Sequence, residues 1–419
     1  MIETKFKHTD IGSVPQEWEV TSFGEAFKKL NAASYTWDET TQEGDCAYLH
    51  YGYIHTRYHD HLDVEHDELP YVSKSKANRF AKLQDGDLIM LNASEDYDGV
   101  NDCVEIMNCN KALIAGQHTI PLRPNKDKLQ KGFIGYIPSI PAVKMQLIEN
   151  AVGTKVYGVT NEVLQTVLFS LPPLPEQRRI ASALMKVDGL IANLDKLIAK
   201  KQAIKKGAMQ ELLTGKKRLP GFKGEWKEVR LGNVSCFIGG GTPNTSISKY
   251  WKGTIPWVSS SDLNEDDIFH ISRTRFITKQ AVIDSATKLC PNGTIHLVTR
   301  VGLGKLAISF TEECTSQDFC NIVLDTTICD ISFVALSLLP IMQKRKEEAQ
   351  GTTIKGITVN DVSTIPIALP PLPEQRAIAH VLSVMDSDIS LLEQKREKMK
   401  AVKQGMMHDL LTGRIRLTE

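Results

Sequence analysis

Leu171–Leu219 reads LPPLPEQRRIASALMKVDGLIANLDKLIAKKQAIKKGAMQELLTGKKRL, and Leu369–Leu417 reads LPPLPEQRAIAHVLSVMDSDISLLEQKREKMKAVKQGMMHDLLTGRIRL. They align at an offset of 198 without a gap, and 25 of 49 positions are identical. The echo extends backward at the same offset, Gly153-Thr154 matching Gly351-Thr352 and Gly158-Val159-Thr160 matching Gly356-Ile357-Thr358. A repeat of this length sets the architecture before any local propensity is weighed.

Each copy reads as a start signal followed by one long helix. Proline suits the first turn of a helix, and Glu176 or Glu374 just after Pro175 or Pro373 favours the positive end of its dipole. Apolar residues then recur at alternating steps of four and three: Ile180, Leu184, Val187, Ile191, Leu194 and Ile198 in the first copy, and Ile378, Leu382, Met385, Ile389 and Leu392 in the second. The pattern predicts helices over about 176–213 and 374–411, each on the order of 57 Å long. Thr-Gly at 214–215 and 412–413 stops each of them. A single narrow apolar stripe must be covered, and the matching stripe lies in the other copy. An intramolecular antiparallel coiled coil is therefore expected. The alternatives are packing of each helix on its own domain or on a partner chain.

Outside the helices lie two stretches of similar length, which opens the domain reading. Residues 1–150 and 220–350 form the globular domains, with the repeat segments at 151–219 and 351–419. Each opens on a Trp-containing segment, PQEWEV or GEWKEV, and alternates turn-rich stretches with short apolar runs. Asp85-Gly86-Asp87-Leu88 and Pro291-Asn292-Gly293-Thr294 both lead into a strand, followed later by Gly116-Gln117-His118-Thr119 and Ser316-Gln317-Asp318-Phe319. The expected class is α+β, with two mixed, mainly β domains joined and separated by the helices in a pseudo-two-fold duplication.

Charge is uneven although the total is zero. Residues 1–150 are net −8, 171–219 net +7, 220–368 neutral and 369–419 net +1. Phosphate contacts need local rather than global positive charge, so the acidic first domain is the compositional objection to nucleic-acid binding. The eight cysteines, Cys46, Cys103, Cys109, Cys236, Cys290, Cys314, Cys320 and Cys329, form no C-x-x-C pair and suggest neither zinc nor a disulfide framework. The longest apolar run, Phe333 to Met342, falls short of the ~20 residues that span a bilayer, and MIETKFKHTD has no signal core. A soluble cytoplasmic protein is expected.

The order domain, LPPLPEQ helix ending in LLTG, domain, LPPLPEQ helix ending in LLTG resembles the specificity subunit of type I restriction-modification systems over nearly the whole chain. GGGTP, YW and IPWVSSSDL at 239–263 strengthen the likeness, and YLHYGYIH, LQDGDLIMLNASEDY and AGQHTIPLRP extend it to the first domain. The resemblance implies two target recognition domains, each reading one half of a split site in double-stranded DNA, with the helices as a ruler. It also implies two modification (methyltransferase) subunits gripping the helices, carrying S-adenosylmethionine, and restriction (endonuclease) subunits that join for cleavage. The chain itself is then expected to hold no cofactor and to do no catalysis.

Base reading calls for Arg, Lys, Gln and Asn on loops, with small polar groups on phosphates. In the second domain the candidates are Lys249, Ser259, Ser260, Ser261, Arg273, Arg275, Arg300, Lys305 and Gln317. In the first they are Tyr51, His55, Arg57, Asn92, Ser94, Tyr97, Gln117 and His118. A solvated loop residue is the competing reading for each. Gly239-Gly240-Gly241 could admit a phosphate, or simply turn the chain. Lys196, Lys200, Lys201, Lys205 and Lys206 give the first helix a basic stretch, read first as a solvated face. His50, His55, His59, His61 and His66 lack regular ligand spacing and sit in a segment read as loop, so no metal is expected.

Catalytic signatures are missing. Both Pro-Pro pairs are Leu-Pro-Pro-Leu rather than the Asn/Asp-Pro-Pro-Tyr/Phe of an amino-methyltransferase, no P-loop occurs, and Glu225-Trp226-Lys227 lacks the carboxylate partners of a nuclease. The competing reading of the whole chain is a coiled-coil scaffold whose degenerate loops bind another macromolecule.

Overall fold

A computed structural model describes residues 4–94, 99, 102–151, 157–265, 267–349 and 356–418. Its two longest elements are helices Leu174–Leu212 and Leu372–Leu411. The chain divides into two units: one comprises Met1–Asp195 with Gln394–Glu419, the other Lys196–Glu393. Each unit thus owns one globular domain, half of the first long helix and half of the second. No described helix is long and apolar enough to cross a membrane.

In the first unit a sheet runs in the order Phe27–Lys29, Thr119–Pro124, Leu88–Leu91, Cys103–Met107 and Asp60–Asp63. Leu88–Leu91 is central and buried at every position, as a strand covered on both faces should be. A second sheet places Cys46–Leu49 between Leu113–Ala115, which is parallel to it, and Tyr71–Val72. Glu19–Ser22 pairs with Leu168–Leu171, so the strand entering the domain lies beside the one leaving for the helix.

The second unit repeats this plan. Its first sheet is ordered Ser235–Gly239, Phe319–Leu324, Thr294–Val298 and Leu306–Ser309. Its second sets Ile255–Val258 parallel to Glu313–Thr315, and Lys227–Arg230 pairs with Pro366–Leu369. The α+β class and the duplication read from sequence are the observed ones.

Within each unit the two helices run antiparallel, and the same bonds recur 198 residues apart. Lys403 reaches Asp188 at 2.6 Å, and its counterpart Lys205 pairs with Asp386. Arg416 binds Glu176 at 2.7 and 2.8 Å, as Arg218 binds Glu374 at 2.7 and 2.6 Å. The glutamate of each LPPLPEQ thus fastens to the arginine that follows the other copy's LLTG, a stronger role than balancing a helix dipole. The glutamine fastens the helix to its own domain. Gln177 donates to the Pro172 and Lys128 carbonyls and accepts from the Gln130 amide, while Gln375 does the same with Pro370, Ile328 and Asp330. After each helix the chain turns through Gly215 at φ 70° or Gly413 at φ 68°, the left-handed region that glycine enters without strain.

The seam residues divide by position. Ile180 and Leu184 share the first unit's core with Leu410, Leu411 and Phe133, while Ile378 and Leu382 share the second's with Leu212, Leu213 and Phe333. Helix pairing and packing on the domain, posed as alternatives, are both present at these ends. Val187, Leu194, Ile198 and Ile389 are buried further along, and Ile191, Met385 and Leu392 half-buried. Lys201 pairs with Asp388 at 3.1 Å, so Lys201 and Lys205 serve helix pairing rather than a merely solvated face.

Burial pushes the Glu176 carboxyl upward, but the Arg416 guanidinium and Trp18 indole outweigh it and hold it below its ordinary value of 4.5. A depressed carboxylate contributes stability that is present above its unfolded pKa and lost as pH falls through the lower folded one. Glu176→Gln should therefore cost stability at pH 6, with the gap from wild type closing below about pH 4. Thermal melts of both proteins from pH 3 to 7 check this, and a gap constant across that range would contradict it.

Candidate nucleic-acid interface

In each unit one backbone lattice gathers the candidate loops. The Gly116 amide donates to Leu49 at 2.9 Å, the Asn92 amide to His118 at 3.1 Å, and the Val159 amide to Asn92 at 3.2 Å. In the second unit the Ser316 amide donates to Val258 at 2.8 Å, the Thr299 amide to Asp318 at 2.8 Å, and the Ile357 amide to Thr299 at 2.9 Å. Gly158-Val159 and Gly356-Ile357, the backward echo of the helical repeat, thus dock against the strand-end loop of each domain. Chain segments far apart in sequence converge at one edge of each domain.

The first domain's edge is aromatic. His118, held at φ 60° in a conformation costly for a side chain with a Cβ, faces Tyr51 edge-on at 5.3 Å. Gln117 is half-buried beside it, its amide donating to the Tyr48 hydroxyl at 3.1 Å. Tyr51 and His55 belong to an α-helix, Tyr51–Thr56, and not to a loop, because the His50 ring caps it by accepting from the Gly52 amide at 3.1 Å. His55 pairs with Asp102 at 3.1 Å, and Arg57 with Glu68 at 3.1 Å. Asn92 is half-buried, with no hydrogen-bond partner for its side-chain oxygen among the described residues. Ser94 is buried in strand Ala93–Ser94. Tyr97 lies outside the described residues.

The five histidines go separate ways. His55 and His66 pair with different aspartates, and His61 approaches buried Glu105 at 3.6 Å while touching the Gly132 carbonyl. His59 lies beyond the helix that carries His55, so the two share no helical face.

In the second domain several candidates have partners within the domain. Arg273 is spent on Glu313, a fully buried carboxylate that also takes His296 at 3.0 Å. Burial pushes that carboxyl upward, but His296 and Arg273 hold it below its ordinary value. The Lys305 ammonium donates to the Leu263 carbonyl at 3.1 Å. Arg275 stacks over Trp257 at 4.7 Å and pairs with Asp262 and Ser259. Ser259 caps the short 3-10 helix Ser260–Asp262, which carries Ser260 and Ser261, and Lys249 sits exposed in another, Ser248–Trp251; both replace the expected loops. Arg300 and Gln317 are exposed, Gln317 bonded to Thr242.

The glycine run has an internal reason. A Cβ on Gly240 would stand 1.9 Å from the Ser316 carbonyl oxygen, and one on Gly241 2.4 Å from the Thr287 amide. Those glycines admit neighbouring backbone rather than a phosphate. Beside them Thr242, Thr245, Trp251, Trp257 and Arg275 line a shallow cavity of 280 Å³. Among the described residues, the exposed candidates of the second domain include the cations Lys249 and Arg300 with Gln317, while those of the first are Tyr51, His55, His118 and Arg57, the last paired to Glu68.

The sequence profile described as "Type I restriction modification DNA specificity domain" matches this chain twice, at residues 15–205 and 223–401. The specificity subunit assigned to the MjaX type I restriction enzyme of Methanocaldococcus jannaschii is 27% identical over 435 residues, 99% of this chain and 97% of that protein. The crystal structure of a type I restriction-modification S subunit from M. genitalium superposes with TM-score 0.59 at 13% identity, covering 98% of this chain and 99% of that one. A structure from work on complex assembly and conformational transition of the type I system superposes at 0.61 and 19% identity, covering 96% of this chain and 99% of that one. With both halves of the chain matched and the duplicated scaffold in place, the protein belongs to the type I restriction-modification DNA specificity family.

Proposed function

We propose that this chain is the DNA-reading subunit of a type I restriction-modification complex, working in the cytoplasm on a split site in double-stranded DNA. Each globular domain reads one half-site, and the chain does no chemistry itself. Adenine methylation belongs to two modification subunits that bind S-adenosylmethionine, and cleavage to restriction subunits. The observation that carries this is the loop edge built twice, from Asn92, His118 and Val159 in one domain and Thr299, Asp318 and Ile357 in the other. Two copies of one reading frame in one chain support a site with two parts.

The outward-facing groups fit that work unequally. Arg300 and Gln317 are exposed and of the kinds that pair with guanine and adenine edges, whereas Tyr51, Gln117 and His118 offer polar and aromatic contact. A second apolar line, Leu190, Leu197 and Ile204, recurs every seven residues along the first long helix at 51%, 40% and 49% exposure. It supports the reading that other chains grip the helix.

Co-expression with a modification subunit followed by methylome sequencing tests the proposal. The expected result is a new split motif, methylated only when this chain is present. Stable assembly without a motif would refute it. Arg300→Ala should leave one half-site intact and relax the other by about 1–3 kcal/mol of base discrimination, read as degeneracy at one position. Unaltered stringency at both half-sites would exclude Arg300 from base reading.

A further inference from the structure

The acidic first domain carries a row of rings that its expected reading residues do not account for. Trp37 stands on the 3-10 helix Trp37–Glu39 and is 51% exposed, the one exposed tryptophan of the chain's five. It meets His50 edge-on at 5.1 Å and leans on Tyr53 at 5.5 Å. His50 lies 4.4 Å from Tyr51, and Tyr51 5.3 Å from His118. The row therefore runs unbroken from Trp37 to the turn that holds Gln117 and His118, where the backbone lattice gathers the loops. Behind it Tyr53 stacks on Tyr58 at 6.0 Å, with the Arg57 guanidinium 5.7 Å from both rings.

The support under Trp37 is held by hydrogen bonds. The Thr36–Glu39 capping box fixes its helix, and His50 is locked by the Gly52 amide, so its Nδ1 accepts and its proton sits on Nε2. Burial, with His118 nearby, lowers the His50 pKa, which keeps this support uncharged at neutral pH. The charges around the row are mostly negative or neutralised: Asp38 and Glu39 share the helix of Trp37, Glu39 is paired to Lys76, and Arg57 to Glu68. Such a surface repels phosphate yet offers flat faces to flat, uncharged partners. The second domain differs, because its Trp257 is buried under Arg275 and donates to the Gly241 carbonyl at 2.9 Å.

We infer that Trp37, backed by His50 and Tyr53, is a stacking wedge for a DNA base step, and that the first domain holds its half-site by base stacking in place of phosphate neutralisation. This rests on the DNA-reading proposal above and names how one half of it binds. Aromatic wedges open or kink a base step and gain the stacking energy of the exposed base face. The stacking contribution itself releases no counterion, so it adds nothing to the salt dependence of binding.

The test uses the full chain assembled with its modification subunits and duplexes carrying the methylome-defined motif, with 2-aminopurine placed at each position of both half-sites in turn. Apart from the target adenines that the modification subunits extrude, wild type should brighten the probe at one step of the first domain's half-site, where unstacking relieves quenching. Trp37→Ala should abolish that signal and weaken binding roughly 5- to 150-fold, with the slope of affinity against salt unchanged. Trp37→Phe should keep most of both. No brightening outside the target adenines in wild type overturns the inference even if a variant misfolds, and so does Trp37→Ala binding like wild type. If Trp37→Ala spares DNA affinity but weakens assembly with the modification subunits, the row is a protein-docking surface and the inference is wrong. A wild-type complex that methylates no split motif would instead bring down the DNA-reading proposal, and this inference with it.

Discussion

Arg416→Ala is expected to destabilise the unit of Met1–Asp195 and Gln394–Glu419 by about 3–5 kcal/mol, the cost of removing one partner of a buried ion pair. The Glu176 side chain is only 2% exposed, and it gathers Arg416 through two bonds, the Trp18 indole at 3.0 Å and the Leu417 amide at 3.2 Å. Truncating the arginine leaves that carboxylate buried with neutral donors alone. Lysine in its place restores the charge but not the paired geometry, so Arg416→Lys should recover only part of the loss. Glu176→Gln in the Arg416→Ala background removes the stranded charge and should restore more than the lysine does. Denaturant unfolding followed by tryptophan fluorescence gives the magnitude, and hydrogen exchange localises it. Arg218→Ala should produce the matching loss in the unit of Lys196–Glu393, through Glu374, whose side chain is fully buried. A loss below about 1 kcal/mol in both variants, the level of surface pairs, would show that these latches add nothing.

How much of this was legible in the sequence depends on the range of the interaction. Helix starts, helix stops and the heptad seam are local, so LPPLPEQ and the alternating apolar steps were enough to read both long helices. The role of Glu176 was not, because its partner Arg416 lies 240 residues away and no local pattern joins them. The helix at Tyr51–Thr56 was hidden for another reason. Its cap is an imidazole accepting an amide, not one of the small polar residues by which helix starts are recognised.

The candidate interface was legible as a pair of places and less so as residues. The turns at Gln117 and Gln317 fall at equivalent points of the two lattices, as their sequence positions suggested. Yet Arg273, Lys305 and Ser94 look identical in sequence to surface groups, and only the fold shows that Glu313, the Leu263 carbonyl and a buried strand claim them. Trp37 went unread for the converse reason: a tryptophan is expected to be buried, and its exposure follows from packing rather than from its neighbours in the chain.

The spacing between half-sites should change when both long helices are lengthened together, and the half-sites themselves should not. Pairing fixes where the insertions go. Asp195 meets Arg396 at 3.3 Å, and Lys201 meets Asp388, so positions in the two helices run oppositely in step. A heptad inserted after Leu194 therefore faces one inserted after Arg396, and seven residues keep every seam position in register. The pair of insertions adds about 10.5 Å of helix and turns the flanking residues by only ~20°. At ~3.4 Å per base pair the gap should lengthen by up to about three base pairs. DNA of that length twists by roughly a third of its ~10.5-base-pair turn, so the longer gap should be read with weaker affinity. Methylome sequencing with the lengthened chain tests this: unchanged half-sites with a wider gap support helix length as the ruler, whereas an altered half-site with the original gap would place the spacing elsewhere.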